Sequence, residues 1–237
     1  MVKLLFPTPI FVRDLLDDKL HDRQKVDVDY MLELKQAMDA MRKQDPVGRR
    51  VSNQYTGWQS NDGINTHPTF TKLFNRIGRL FEEEVVPYYG GTGKFIHRMG
   101  NSWGNINDHG AWNAPHLHNG CWYSGVLYIH ADGDEGDLQF VDPMPKYVND
   151  MPFFNDRART DFRIQPRTGL LILFPSAAMH MVEPNFTDKR RYSISFNVDW
   201  HATISIKPGD GIQSHAPANE NEFNIDPSTG NLINNIV

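Results

Sequence analysis

The sequence predicts a mainly β domain with flanking helices, its strands closing into a sandwich or barrel, and three observations lead there. Helical periodicity is confined to the residues before about 95. Beyond that point, short runs rich in β-branched and aromatic residues alternate with clusters of Gly, Pro, Asn and Asp. In the last of these runs Tyr192, Ile194, Phe196 and Val198 share one face, and Arg191, Ser193, Ser195 and Asn197 share the other. One face packs and the other lines something polar.

Taken in chain order, the apolar opening through Val12 is interrupted by Pro7 and Pro9, so it reads as an extended edge strand and not as the core of a signal peptide. Tyr30, Leu34, Met38 and Met41 form a first helical stripe that ends at Asp45-Pro46. Phe70, Leu73, Phe74, Ile77, Leu80 and Phe81 form a second and stronger one, ended by Pro87 and Gly90-Gly91. Both stripes read as core-facing. The polar stretch Val51 to Ser60 between them reads as a loop, either facing a substrate or packed on the body. Strands are expected over 94–99, 123–130, 137–141, 169–174 and 192–198. Residues 1–204 are expected to form one domain, helical to about 94 and β from about 95, followed by an irregular Asn-rich extension over 205–237.

A chain of 237 residues can bury a substantial core, and its formal charge of -5 gives no general footprint for nucleic acid or an acidic membrane. No run approaches the roughly 20 apolar residues of a spanning helix, so a soluble, cytoplasmic protein is expected. The single cysteine, Cys121, excludes an intrachain disulfide and a Cys-rich metal site, and reads as a packed small residue.

Chemistry concentrates in the histidines. Of the ten, His21, His67, His201 and His215 lie in helical, loop or tail contexts, His97 and His130 read as satisfied strand residues, and His109 sits in a loop. His116 and His118 differ, because side chains two apart on a strand project from one face roughly 6 to 7 Å apart, which suits two ligands on one ion. His180, just past the apolar run 169–174 and the break at Pro175, supplies a third imidazole at a strand end or turn. Arg191 and Ser193 share the non-packing face of the last strand, where a guanidinium grips a carboxylate and a hydroxyl adds a hydrogen bond. A buried arginine requires an anion, from the protein or from a ligand.

In order, His116-Leu117-His118, the strand Ser124 to Ile129, Phe140 to Pro143, the strand Gly169 to Pro175, His180 and Arg191 to Asn197 resemble the iron(II)- and 2-oxoglutarate-dependent oxygenases. The likeness is to the bacterial and phage branch with a His-x-His element before a Ser-Gly-Val-x-Tyr strand. Leu5 to Ile10 and Ser102 to Asn105 match that branch too. The resemblance implies a double-stranded β-helix, a cupin-like jelly roll with iron(II) at its mouth. It implies His116 and His180 as iron ligands, with His118 standing at the position of the third. It implies Arg191 on the far carboxylate of the cosubstrate 2-oxoglutarate, with Ser193 and Tyr128 beside it, and Asn105 on the near carboxylate or the substrate. The implied activity is hydroxylation of a small-molecule or peptide substrate with release of succinate and carbon dioxide.

One departure stands out. Most of the superfamily has Asp or Glu where this chain has His118. Three neutral ligands leave the iron its full double positive charge, which strengthens binding of a dianionic cosubstrate. Alternatively Asp108, Asp134 or Asp137 folds over to become the third ligand. A zinc-dependent cupin-type hydrolase or isomerase would also use the three histidines, and a non-catalytic phage or structural protein would keep only the barrel. Trp58, Trp103, Trp112 and Trp122 supply aromatic surface near the mouth, as substrate walls or as packing. Oligomerisation is open on sequence alone.

Overall fold

The computed structural model describes residues 7–17, 26–90, 96–142 and 161–201. Asp27 opens helix α1 (Val28–Gln44) by accepting the Tyr30 N–H at 3.0 Å, and Asp45-Pro46 ends it. Helix α2 (Pro68–Leu80) begins with a proline, whose missing N–H is no loss in a first turn. It continues through a π-helical turn (Phe81–Val85) and a last short turn (Val86–Tyr88), so Pro87 lies just inside the helical region and the chain leaves it at Gly90, with φ +76°. No described helix is long and apolar enough to cross a membrane.

Two antiparallel sheets pack face to face among the described residues. The larger runs in the order β1 (Phe11–Asp14), β9 (Leu170–Pro175), β6 (Tyr123–His130), β11 (Arg191–His201), β4 (Ile96–Asn107), β3 (Gly57–Gln59). The smaller runs β2 (Asn53–Gln54), β5 (Trp112–His116), β10 (His180–Val182), β7 (Leu138–Val141), β8 (Asp161–Ile164). This is the double-stranded β-helix with flanking helices that the sequence resemblance implies.

The helices lie on the outer face of the larger sheet. Leu34, Met38, Phe70, Leu73, Ile77 and Phe81 form one buried cluster with Ile106, Leu127, Leu173, Ile194, Phe196 and Val198. Each such side chain contributes about 1.5–3 kcal/mol by leaving water. The apolar face of β11 therefore turns outward, onto the helices. Between the sheets the apolar cluster is smaller, centred on Leu138, Phe140, Leu170, Ile172 and Phe174, and polar side chains share the rest of the interior.

Three differences from the sequence reading have physical causes. Strand β4 has 12 residues instead of six, because it pairs with β11 from Asn107↔Arg191 to Ile96↔His201. Its alternation of Asn, Trp, Ser and Gly carries no apolar strand signal. The stretch 51–60 is not a simple loop: β2 and β3 pair with β5 and β4, and Tyr55 makes the turn at φ 54°. The edge strand starts only at Phe11, after the two prolines, and pairs with β9. The expected extension over 205–237 lies outside the described residues, as do His21, His215 and the first six residues.

Gly125 faces the helical layer, paired with Phe196 on one side and Leu173 on the other. A Cβ there would lie 2.3 Å from Phe196 Cζ and 2.9 Å from Leu173 Cδ2. The Gly125→Ala variant should lose about 1–3 kcal/mol of stability through overpacking, read by urea unfolding, and Phe196→Leu in the same chain should recover part of it. Unchanged stability in Gly125→Ala would show that the phenyl ring is not held over this glycine.

Candidate active site

Strands β5 and β10 are neighbours in the smaller sheet, and their register sets His180 opposite His116. His118 is not on the strand: β5 ends at His116, and the loop is pinned where the His118 N–H donates to the Ser176 carbonyl at 2.9 Å. The ring centroids lie 4.3 Å apart for His116 and His180, 5.2 Å for His116 and His118, and 5.2 Å for His118 and His180. One nitrogen from each ring falls within 4.8 Å of the other two.

The second nitrogen of every ring is taken. His116 Nδ1 meets the Ala114 carbonyl at 2.7 Å, His180 Nδ1 the Ala178 carbonyl at 2.9 Å, and His118 Nδ1 the Asn197 Oδ1 at 2.6 Å. Carbonyl and amide oxygens only accept, so each Nδ1 carries a proton and each Nε2 keeps its lone pair. Burial lowers the pKa of all three, His180 to about 3. At neutral pH the cluster is three uncharged donors, fixed in the tautomer that a metal requires. Phe174 and Phe140 wall it, with ring centroids 4.8 and 6.1 Å from that of His180.

Behind the cluster lies a polar chamber whose far end is Arg191, 2% exposed. Its Nη1 donates to the carbonyls of Glu135 and Gly136, and its Nη2 is buried without a partner. Gly136 makes this grip possible, because at φ +92° a Cβ would stand 2.4 Å from the Glu183 carbonyl. Tyr128, Ser193 and Asn105 stand abreast on β6, β11 and β4, with Gln59 of β3 next in the row. The Tyr128 hydroxyl, pushed up to about 12 by burial, stays protonated and has no partner. Asn105 donates to Ser195 Oγ at 3.1 Å while its own Oδ1 is unpartnered. Each unsatisfied group costs about 1–3 kcal/mol when nothing is bound. A dicarboxylate reaching from Arg191 to the imidazoles would accept from the Arg191 Nη2 and the Tyr128 hydroxyl, so these residues fit 2-oxoglutarate as the imidazoles fit a divalent ion.

The acidic alternatives for the third ligand are engaged elsewhere. Asp108 pairs with Arg42 at 2.6 Å and Arg190 at 2.7 Å, and Asp134 with Lys189 at 3.6 Å. Asp137, its carboxyl raised by burial and by Glu183, does not join the cluster either. Of Trp58, Trp103, Trp112 and Trp122, Trp103 is at the mouth, its ring 5.7 Å from that of His118. Trp58 is buried with Nε1 on the Asp45 carbonyl, and Trp122 packs on Phe81 and Tyr123. His67 caps α2, His109 meets the Thr187 carbonyl, and His130 packs beside Tyr192. The side chains of His97 and His201 lie outside the described residues. Burial, then Asp199, raises the Cys121 thiol, which is not an activated nucleophile.

Residues that single motifs did not reveal include Ser124, Ser176 and Asn197 around His118, and Asn107, Asn113 and Ser52, which form a chain across the chamber. Alternation along β11 and β4 is the signal that carries Asn197 and Asn107. Outside the imidazoles a second cleft of 440 Å³ opens, bordered by Trp103, Gln59, Asn101, Leu117 and the Arg49–Asp62 ion pair. Gln59 is 3% exposed there, and its Oε1 has no partner.

Residues 101–197 match the family described as "Putative 2OG-Fe(II) oxygenase". No curated protein matches the chain in sequence. Among solved structures it is similar to a Pseudomonas putida prolyl-4-hydroxylase (14% identity, TM-score 0.54, 81% of this chain and 93% of that one). It is similar to HygX from Streptomyces hygroscopicus with nickel and 2-oxoglutarate bound (14%, TM-score 0.51, 81% and 83%). A third likeness is to a Trichoplax adhaerens prolyl hydroxylase in complex with a peptide fragment (11%, TM-score 0.54, 80% and 83%). At these identities the likeness is one of fold. The family's cofactors are iron(II) and 2-oxoglutarate, and the matched segment contains His116, His118, His180 and Arg191. The match spans residues 101–197 of the 237, and over that segment the chain is similar to the 2-oxoglutarate- and iron(II)-dependent oxygenases.

Proposed function

We infer that this protein hydroxylates a substrate held in the outer cleft, using iron(II) bound by His116, His118 and His180 and 2-oxoglutarate bound by Arg191, Ser193, Tyr128 and Asn105. The observation that carries the reading is the chamber behind the imidazoles, with a buried guanidinium nitrogen and a phenol hydroxyl both lacking an acceptor. A zinc hydrolase or a barrel kept for structure alone would leave that chamber without an occupant.

Bound iron(II) with 2-oxoglutarate would supply the oxidant from dioxygen, one oxygen atom entering succinate as carbon dioxide is lost and the other entering the substrate as its hydroxyl group. The chain's own residues do the rest. The three Nδ1–H bonds aim the imidazoles. Arg191, itself aimed by two carbonyls, fixes the remote end of the cosubstrate, and Tyr128 and Ser193 donate to the same carboxylate. Phe140 and Phe174 keep water from the metal side of His180. The oxidant belongs to the cofactors, so no protein general base is needed.

The substrate would enter by the outer cleft, where Trp103 offers a flat face beside His118 and the Gln59 amide a hydrogen-bonding group. The likeness in fold supports either a small molecule or a peptide: HygX has been seen with hygromycin B bound, and the T. adhaerens enzyme with a hypoxia-inducible-factor peptide fragment.

Anaerobic apoprotein given iron(II) and then 2-oxoglutarate should develop a visible metal-to-ligand charge-transfer band. His180→Ala should abolish it. Arg191→Ala should raise the 2-oxoglutarate concentration needed for half the band by about 10- to 150-fold, the loss of a charged hydrogen bond worth about 1.5–3 kcal/mol. Absence of the band at saturating cofactors would overturn the oxygenase reading.

The imidazoles also set a pH dependence. Their folded-state pKa values lie below the ordinary value of about 6.5, so the unfolded chain takes up protons first as pH falls. Stability of the apoprotein should hold above about pH 6.5 and decline as pH drops towards the folded value, about 3 for His180. Thermal unfolding scans across this range should show a shallower decline in His180→Gln, and equal slopes would mean that His180 is not held neutral by burial.

A further inference from the structure

A dicarboxylate brings only acceptors, so two buried oxygens stay unmet when the cosubstrate is in place. They are Asn105 Oδ1, in the lining of the chamber, and Gln59 Oε1, in the lining of the outer cleft. Both residues are nearly closed to solvent, Gln59 at 3% and Asn105 at 5% exposed. The register of β3 on β4 sets them directly opposite each other, with Cβ atoms roughly 4.5–5.5 Å apart on one face of the sheet. Trp103, two residues before Asn105 on that face, lines chamber and cleft alike, and its ring lies 5.7 Å from that of His118. Asn105 Nδ2 donates to Ser195 Oγ at 3.1 Å, so its oxygen is the end left over. Gln59 is anchored by its backbone carbonyl, which accepts from the Arg49 N–H at 2.8 Å, and this holds the side chain in place without engaging its oxygen. A buried oxygen without a donor destabilises the unliganded fold.

Resting on the oxygenase reading above, we propose that Gln59 and Asn105 are a specificity-determining pair. They recognise a substrate whose planar, uncharged NH2 group, a carboxamide or an amino-substituted aromatic ring, stacks on Trp103 and donates one N–H to each amide oxygen. The two N–H bonds of such a group diverge, and at ordinary hydrogen-bond length they reach acceptors roughly 5 Å apart, the spacing across this strand pair. Charged groups fit less well. The carboxylate that borders the cleft, Asp62, is held by Arg49 at 2.6 Å, so an ammonium would meet only neutral acceptors beside a divalent metal. A carboxylate would face two oxygens that repel it. Because Trp103 stands beside His118, the carbon that is hydroxylated lies close to the NH2 group.

The test reads probe binding by ligand-observed NMR on the intact chain, as apoprotein and again with nickel(II) and 2-oxoglutarate, which do not turn over. The probes are benzamide and 2-aminopyrimidine, each beside its N,N-dimethyl derivative, with benzylamine and benzoate as charged counterparts. Benzamide or 2-aminopyrimidine, whichever matches the source of the NH2 group, should bind about 5- to 100-fold more tightly than its dimethyl derivative, the worth of two neutral hydrogen bonds. It should also bind more tightly than either charged probe. Gln59→Met should lose about 2- to 10-fold of that affinity, one hydrogen bond, while keeping the charge-transfer band with iron(II) and 2-oxoglutarate. Its apoprotein should unfold at a higher temperature than the native one, because a buried oxygen without a donor is gone. Gln59→Glu should reverse the ranking and favour benzylamine. Equal affinity for NH2 and dimethyl probes, unchanged affinity or a lower unfolding temperature in Gln59→Met, or no binding by either NH2 probe up to its solubility limit would overturn the proposal. Gln59→Met decides the matter if Gln59→Glu does not fold. Absence of the charge-transfer band in the native chain would instead overturn the oxygenase reading, since probe binding to the apoprotein is read without any metal.

Discussion

Strand β11 lies between β6 and β4, and its alternation serves two layers at once. Tyr192, Ile194, Phe196 and Val198 face the helices, while Arg191, Ser193, Ser195 and Asn197 face the chamber. A slip of one residue against β4 would bury a guanidinium among Phe70, Phe74 and Ile77 and set three apolar side chains where the anion pocket stands. Register is therefore fixed twice, by packing on one side and by polar pairing on the other. The helices belong to this constraint. In a sandwich both inner faces would be apolar and the outer ones wet; here the inner face of β11 is reserved for chemistry, so apolar burial has moved to its outer face and something must cover it. The stripe of α2 does so, with Phe74 edge-on to Phe196 at 5.9 Å.

Much of this was legible. The five strand runs, both helical stripes and the two faces of β11 followed from periodicity, because each is half buried and the apolar residues mark the buried half. Strand β4 was underestimated for the reverse reason. Its inward residues Asn101, Trp103, Asn105 and Asn107 line the site and, Ile106 apart, its outward ones from Gly100 on are small, so little about their hydrophobicity marks a strand. The His-x-His spacing correctly suggested proximity but not its cause. His116 is the last residue of β5, whereas His118 is delivered by a loop tied to Ser176, a contact 58 positions away that spacing cannot reveal. The amide and hydroxyl network behind His118 was present in the sequence only as the polar half of an alternation.

Among the described residues no carboxylate lines the chamber, and the pairings of the acidic residues explain why. Asp108 bridges Arg42 of α1 and Arg190, the residue beside Arg191, so it ties the helical layer to the start of the strand that carries the anion pocket. To become a metal ligand it would have to abandon two guanidiniums, each left half-buried or exposed at the edge of the sheet. Glu135 is fully buried, and its carboxylate closes the turn at Asp132 and Gly133; that turn presents the carbonyls that hold Arg191. In both cases a carboxylate spends its charge on the framework and so acts on the chamber from outside it. Arg191 consequently keeps its charge in a dry place, held by carbonyls, with Glu135 and Asp137 acting on it only from outside the lining. That charge is costly when the chamber is empty and useful only when an anion fills it, which is the physical reason for reading the chamber as a binding site and not as a core.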